Sequence, residues 1–117
     1  MPYRRILESL LARIGDARTA LLLDGQGEVV VGAGDLGERQ RLIGAYQGIA
    51  LGMASRTAER FQAGDVRSLV WRHDGGTVVL TTLRDGYYLM VSLGRESLPA
   101  AAVRHCEDAR ALLDVAI

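Results

Sequence analysis

The stretch ALLLDGQGEVVV, residues 20–31, places two apolar runs on either side of a glycine-rich turn. Short β-prone runs around such a turn predict a β-hairpin, with strands over Thr19–Asp24 and Glu28–Val31. Both runs are continuously apolar rather than alternating, a pattern typical of strands that are covered on both faces. We therefore expect helices above and below the sheet to which this hairpin belongs.

Amphipathic segments flank the hairpin. Apolar residues recur at helical spacing from Tyr3 to Ile14, which predicts a helix that buries one stripe and ends near Gly15. After a loop over Gly32–Gly37, a second and much longer helix is predicted from Glu38 to Phe61. Asp35 is a candidate cap for its start.

Three further β-prone runs follow, over Val66–His73, Thr77–Leu83 and Tyr87–Leu93. The connectors DGG and RDG contain the Asp-Gly pair that favours tight turns, so these strands are predicted to form an antiparallel meander. A final helix is predicted over Leu98–Val115, with Ser97 as its N-cap. The order is helix, two strands, helix, three strands, helix, an α/β (α+β sandwich) arrangement.

Length and charge narrow the function classes. The 117 residues suit one domain, residues 1–117, and 49% hydrophobic residues are enough for a packed core. The 14 basic residues balance 14 acidic ones, which argues against nucleic acid and against an anionic membrane surface as partners. All the basic residues are arginine, a bias that favours a bacterial source.

The chain has one cysteine, Cys106, which excludes an intramolecular disulfide and a thiolate metal cluster. A reducing compartment is the natural environment for such a protein. Charged residues interrupt the apolar positions of residues 1–16, so this segment has no signal-peptide core. No apolar run in the chain reaches the roughly 18 residues that a membrane span needs. We therefore expect a cytoplasmic protein with no membrane insertion.

Four features carry a family resemblance by their order: the first helix leading into ALLLD at residues 20–24, GQGEVV at 25–30, the long middle helix, and GYYLMV at 86–91. The combination resembles the Roadblock family of dynein light chains and bacterial GTPase regulators over nearly the whole chain. This resemblance implies a profilin-like fold, in which a five-stranded antiparallel sheet carries the long middle helix on one face and the terminal helices on the other.

The same resemblance implies a non-catalytic adaptor. Family members form homodimers in which the sheets join edge to edge and the long helices lie side by side, and they dock small Ras-like GTPases or larger scaffolds on or near those helices. The chain is accordingly expected to be a homodimeric regulator or scaffold of a small Ras-like GTPase. No cofactor, metal or small-molecule substrate is expected, and the identity of the GTPase and the direction of regulation stay open.

The middle helix can be interpreted without the family. One set of residues follows a helical repeat and is predicted to pack on the sheet as an apolar stripe: Leu42, Ile43, Tyr46, Ile49, Ala50, Met53, Thr57 and Phe61. Gly44, Gly48 and Gly52 lie about 170° from that stripe on a helical wheel. Each glycine inside a helix costs about 1 kcal/mol relative to alanine, and a glycine face lets another backbone approach closely.

These glycines are therefore predicted to form the helix–helix contact of the homodimer. Leu51 and Ser55 belong to the same predicted interface, and Val70 and Trp71 join it from the next strand. Three alternatives stay open: the glycines reflect composition alone, the helix is broken near Gly48, or Trp71 is a core filler.

Polar side chains around this glycine face are candidates for contacting the GTPase: Arg41, Gln47, Arg56 and Glu59. Arginine suits an interface because its guanidinium forks onto carboxylates and stacks on aromatic rings. The alternative for each of these residues is a solvated helix face.

No catalytic signature is present. The chain has no lysine, which excludes a Walker-type phosphate loop. His105 and Cys106 are adjacent and point about 100° apart on a helix, so they make a poor nucleophile pair, even with His73 as a distant base. Cys106 is expected in the core and His105 on the surface. A Cys/His enzyme is the weakest alternative, and a small-molecule sensor of profilin-like architecture would need a concave pocket with converging polar groups.

Overall fold

The computed structural model describes residues 2–117 and shows three helices and five strands in the predicted order. The elements are α1 (Pro2–Arg13), β1 (Ala17–Leu23), β2 (Val29–Gly34), α2 (Glu38–Arg60), β3 (Ser68–His73), β4 (Gly76–Thr82), β5 (Tyr88–Leu93) and α3 (Pro99–Ala116). A short 3-10 turn, Arg84–Gly86, joins β4 to β5. Each predicted element is confirmed, and the ends differ by a few residues at most.

The five strands form one antiparallel sheet in the order β2-β1-β5-β4-β3, so β2 and β3 are its edges. The hairpin of β1 and β2 contains a bulge, because Leu22 pairs with Val31 whereas Leu23 pairs with Val29. Val30 is the extra residue, and its side chain is exposed. Bulges of this kind are common on edge strands, where they turn the edge away from further pairing.

Apolar side chains cover both faces of the sheet, as the continuous apolar strands predicted. On one face, Leu22, Val79 and Leu89 pack with residues of α1 and α3, including Leu7 and Leu113. The other face carries the cluster that lies under α2: Leu21, Leu23, Leu51, Val78, Leu80, Tyr88 and Met90. The predicted layers, with the middle helix alone on one face, are therefore confirmed.

Two predicted helix caps are wrong. The N-cap of α2 is Gly37, and the Asp35 carboxylate accepts the Gly37 N–H at 3.0 Å from outside the helix. The N-cap of α3 is Leu98, with Pro99 in the first turn. The Ser97 hydroxyl instead donates to the Gly15 carbonyl, so it fastens the end of α1 to the start of α3.

Candidate functional site

The long helix α2 presents the opposite face to the one that its apolar pattern predicted. Its buried residues are Gly44, Gln47 and Leu51. The bulky apolar side chains are instead exposed: Leu42 by 55%, Tyr46 and Ile49 by 61%, and Met53 by 58%. Thr57 and Phe61 are exposed as well, and Ile43 and Ala50 are partly buried. The prediction that this stripe packs on the sheet is therefore wrong.

The glycines explain why the bulky apolar side chains of α2 point away from the sheet. A Cβ atom on Gly44 would lie 2.9 Å from Leu21 Cδ1 and 3.3 Å from Leu23 Cδ2. On Gly48, a Cβ atom would lie 2.9 Å from the hydroxyl oxygen of Tyr88. Side chains of β1 and β5 fill the space that a larger residue would need, so glycine allows α2 to approach the sheet closely.

The Tyr88 hydroxyl fastens α2 to the sheet at this point. It donates a hydrogen bond of 2.9 Å to the Gly44 carbonyl, in a buried position. Burial raises the pKa of Tyr88, so the hydroxyl keeps its proton and remains a donor at neutral pH. Gly44 and Gly48 do allow a close approach, but to the sheet of the same chain and not to the helix of a second copy.

The predicted dimer residues of α2 consequently divide into two groups. Gly44, Gly48 and Leu51 are in contact with the sheet, so assigning them to a helix–helix interface is wrong. Around Gly52, a Cβ atom would meet only the Arg56 guanidinium, at 3.4 Å. Ser55 is exposed. These last two residues stay accessible to a partner.

Gln47 was predicted to contact the GTPase, but its side chain is buried between α2 and the edge strand β3. The Trp71 indole Nε1–H donates to Gln47 Oε1 at 2.8 Å, across 24 positions of sequence. The Trp71 ring is 38% exposed and lies 5.2 Å from the ring of His73. Trp71 thus both packs against α2 and presents part of its ring at the sheet edge. Val70, its neighbour on β3, is exposed to a similar extent.

The contacts of α2 give it two distinct flanks. The side of α2 that carries Gln47 faces β3. Because an α-helix turns about 100° for each residue, Ile43 and Ala50 lie on that same side. The other side faces the β1–β2 hairpin, where a Cβ atom on Gly27 would lie 3.4 Å from the Ala45 backbone.

The remaining candidate residues for the GTPase are accessible. Arg41, Arg56 and Glu59 are exposed on the hairpin side and the outer surface of α2, so the structure does not bring them next to β3. Their contact with a GTPase stays a prediction.

The cysteine and histidines do not form a reactive site. Cys106 lies on the buried face of α3 and is fully buried in the core, as predicted. His105 is partly buried rather than on the surface, and its Nδ1 is enclosed. His73 is exposed at the end of β3, where its Nδ1 accepts the Gly75 N–H at 3.1 Å. Within residues 2–117, no group of three His, Cys, Asp or Glu side chains could hold a metal ion, and no helix is long and apolar enough to cross a membrane.

Native Cys106 is expected not to react with Ellman's reagent. Burial raises the pKa of the Cys106 thiol to about 12, and only the thiolate attacks a disulfide reagent. One thiol per chain should therefore become reactive only in denaturant, and the pH of the native sample between 7 and about 9 should make little difference. Rapid native labelling would contradict this placement of α3 on the sheet.

An open polar groove of about 710 Å³ lies between the end of α2 and the end of α3. Its walls include Glu59, Asp65, Arg84, Arg110 and Asp114. Arg110 forms ion pairs with Asp114 at 3.6 Å and with Glu107 at 3.8 Å, so part of its charge is neutralised within the chain. The groove has charged side chains of the kind that a small-molecule sensor would need, but its wide opening to solvent is unlike the concave pocket of such a sensor.

Comparison with known proteins agrees with this architecture. The family model described as the Roadblock/LC7 domain matches residues 5–93, well over half of the chain. The chain belongs to the Roadblock/LC7 family. The matched region ends at Leu93, so it contains α2 and the whole sheet but not α3.

Solved structures of this Roadblock/LC7 fold are similar over almost the full length. A Roadblock/LC7 domain from Streptomyces avermitilis is 24% identical, with a TM-score of 0.81 over 97% of this chain and 92% of that one. Gliding protein MglB from Thermus thermophilus is 16% identical, with a TM-score of 0.85 over 97% and 86%. A structure described as MglB with tetrameric arrangement is 18% identical, with a TM-score of 0.84 over 97% and 88%. No curated protein matches the sequence significantly.

Proposed function

We propose that this chain is a homodimeric, non-catalytic adaptor of the bacterial cytoplasm that binds a small Ras-like GTPase, in a GTPase-activating or scaffold role. The observation that carries the proposal is the outward apolar surface of α2. We name Leu42, Tyr46, Ile49 and Met53 the outward stripe. The four side chains follow one face of the helix, and each is more than half exposed.

Such a surface is unfavourable unless a partner covers it. Contiguous exposed apolar patches on soluble proteins mark sites of association, because water contact costs about 25 cal/mol for each Å² of apolar area. The glycines of the opposite face support this orientation, since a larger side chain at Gly44 or Gly48 would displace Leu21 or Tyr88. The helix is therefore built to display this stripe.

The edge strand β3 supports the homodimer. Its outer edge has no strand neighbour among residues 2–117, and Val70 and Trp71 are partly exposed along it. Unpaired edges of this kind invite pairing with a second strand. Self-association on this fold is also described for the MglB structure with a tetrameric arrangement. We propose that β3 pairs with β3 of a second copy, which places the Ile43 and Ala50 side of α2 towards that copy.

The GTPase is the partner that the Roadblock resemblance implies, and the exposed Arg41, Arg56 and Glu59 are suited to contact it. If the complex accelerates hydrolysis, the simplest route is ordering of the GTPase's own switch loops. An arginine inserted into the nucleotide site of the GTPase is the alternative route, since the chain carries 14 arginines.

Light scattering after size exclusion tests this function. The chain should elute with the mass of a dimer, alone and at several concentrations. Mixed with small Ras-like GTPases from the same genome, each loaded with GDP or a non-hydrolysable GTP analogue, it should co-elute with one of them in one nucleotide state. A chain that stays monomeric and binds none of these GTPases would contradict the proposal.

A further inference from the structure

A second exposed surface lies on the face of the sheet opposite α2, where α1 and α3 run side by side. The two helices are antiparallel. At one end the Tyr3 hydroxyl donates to the Ala116 carbonyl, and at the other end the Ser97 hydroxyl donates to the Gly15 carbonyl. A shallow groove separates the outer surfaces of the two helices, and only residues of α1 and α3 line it.

One end of this groove is apolar and the other end is charged. Ile6 of α1 and Leu112 of α3 line the apolar end, and Val115 lies about one turn further along α3. Leu112 is 60% exposed and Val115 is 87% exposed. Arg13 and Asp108 line the charged end, and neither forms an ion pair within the described residues. The groove thus combines uncovered apolar area with unpaired charges, as association surfaces do.

The two helices carry net charges of opposite sign. Helix α1 has three arginines and one glutamate, a net charge of +2. Helix α3 has two arginines and three acidic residues, a net charge of −1 when His105 is counted as uncharged. Contact between α1 of one copy and α3 of another is therefore attractive, whereas contact between two α1 helices or two α3 helices is repulsive. This complementarity favours a second copy of the chain as the occupant of the groove.

A twofold axis along the groove brings the unlike helices together. Rotation about such an axis keeps each residue at its level along the helices, so α3 of one copy lies on α1 of the other. Leu112 then meets Ile6 of the second copy. Arg13 and Asp108 of different copies are about one helical turn apart, and they lean towards each other because side chains tilt towards the N-terminus of their own helix. A twofold axis across the groove would instead place like helices together.

The size of this surface predicts a weak contact. Helix α1 has 12 residues and is about 18 Å long, and two helices side by side are about 20 Å wide. They offer about 400 Å² on each copy, less than the roughly 800 Å² per partner of a stable complex. Arg104, one turn before Asp108, also reduces the attraction to α1. Dilution on a size-exclusion column therefore leaves the expected dimer mass unaffected.

We propose that the groove between α1 and α3 is a second self-association surface, through which dimers joined at β3 gather into larger assemblies. The inference goes beyond the proposed function and rests on it only for the dimer. The groove lies on the face of the sheet that α2 does not occupy, so the outward stripe stays free. An assembly of this kind presents several copies of that stripe to its partners at once.

Leu112→Glu and Leu42→Glu are a matched pair of variants, because both leucines are more than half exposed and they lie on opposite faces of the sheet. Small-angle X-ray scattering gives the mean mass from about 10 µM to about 1 mM chain, a range that brackets a contact of this size. The mass of the parent chain should rise with concentration, and Leu42→Glu should behave in the same way. Leu112→Glu should lower the association constant at least about tenfold, with unchanged thermal unfolding.

A charge exchange tests the pairing of α1 with α3. Asp108→Arg alone should weaken the association, because it gives α3 a net charge of +1 against the +2 of α1. Arg13→Asp combined with Asp108→Arg should recover part of the affinity, since a carboxylate and a guanidinium then face each other again. A double variant that associates no better than Asp108→Arg would overturn this arrangement of the helices.

The remaining outcomes separate this inference from the proposed function. If the mass of the parent chain stays constant up to about 1 mM, the inference is overturned. It is equally overturned if Leu112→Glu gains mass as the parent chain does, or if Leu42→Glu abolishes the rise. A parent chain that is monomeric at about 10 µM, but still gains mass in a way that Leu112→Glu prevents, contradicts the β3 dimer and supports the groove contact.

Discussion

Gly44→Leu is expected to destabilise the chain by more than about 3 kcal/mol, at the upper end of what overpacking a core costs. The new side chain would enter space that Leu21 and Leu23 occupy, and it would separate the Gly44 carbonyl from the Tyr88 hydroxyl. The free energy of unfolding, from urea titration followed by circular dichroism at one protein concentration, measures the effect.

The matched control is Gly52→Ala. A Cβ atom at Gly52 meets only the flexible end of Arg56, so alanine should raise the stability by about 0.5–1 kcal/mol through its better helix propensity. If Gly44→Leu were as stable as the parent chain and lost only its dimer, the glycine face would belong to a helix–helix interface after all.

Trp71→Arg is expected to weaken homodimerisation by at least about 30-fold, since a truncated aromatic at an interface centre typically costs about 2 kcal/mol or more. The substitution removes the exposed part of the ring from the β3 edge and adds a charge to it. It also leaves Gln47 Oε1 buried without its donor. Sedimentation equilibrium gives the dimer dissociation constant directly.

Two further variants make this result specific. Val115→Arg changes a side chain that is 87% exposed on α3, on the other face of the sheet, and should leave the dimer intact. Val70→Arg alters the same edge without affecting the Gln47 hydrogen bond, and should weaken the dimer as Trp71→Arg does. Equal dissociation constants for all three variants and the parent chain would exclude β3 from the interface.

The fold could be predicted from the sequence because its signals are local. The hairpin follows from two apolar runs around Gly25–Gly27, and the meander follows from its two Asp-Gly connectors. The continuous apolar character of β1 required cover on both faces, which the clusters on the two sides of the sheet supply. Each of these inferences depends on residues that are neighbours in the chain.

The orientation of α2 could not be predicted because periodicity identifies an apolar face without identifying what covers it. Ile49 and Met53 lie at core-like spacing, yet the core beneath α2 is already filled by Leu21, Leu23, Met90 and Tyr88. Only the tertiary structure shows that positions 44 and 48 of α2 have room for glycine alone. One signal was available, since Gly44 and Gly48 recur about one helical turn apart and provide a low-volume face that can lie close to the sheet.

The role of Gln47 could not be predicted from the sequence for a similar reason. Its partner Trp71 lies 24 residues away on another element, and nothing local connects the two. A glutamine on a long helix ordinarily indicates a solvated position. Here the buried amide oxygen of Gln47 accepts the indole N–H of Trp71, and the pair fixes the edge strand against α2.

Helix α2 turns Gly44 and Gly48 to the sheet and its bulky apolar residues outward. The reactivity of Ile49→Cys toward Ellman's reagent measures this orientation of α2, because native Cys106 is buried and contributes no background. The introduced thiol should react in the native chain at the rate of an exposed cysteine. If Ile49→Cys reacts only after unfolding, residue 49 lies in the core, and α2 does not present its bulky apolar residues to a partner.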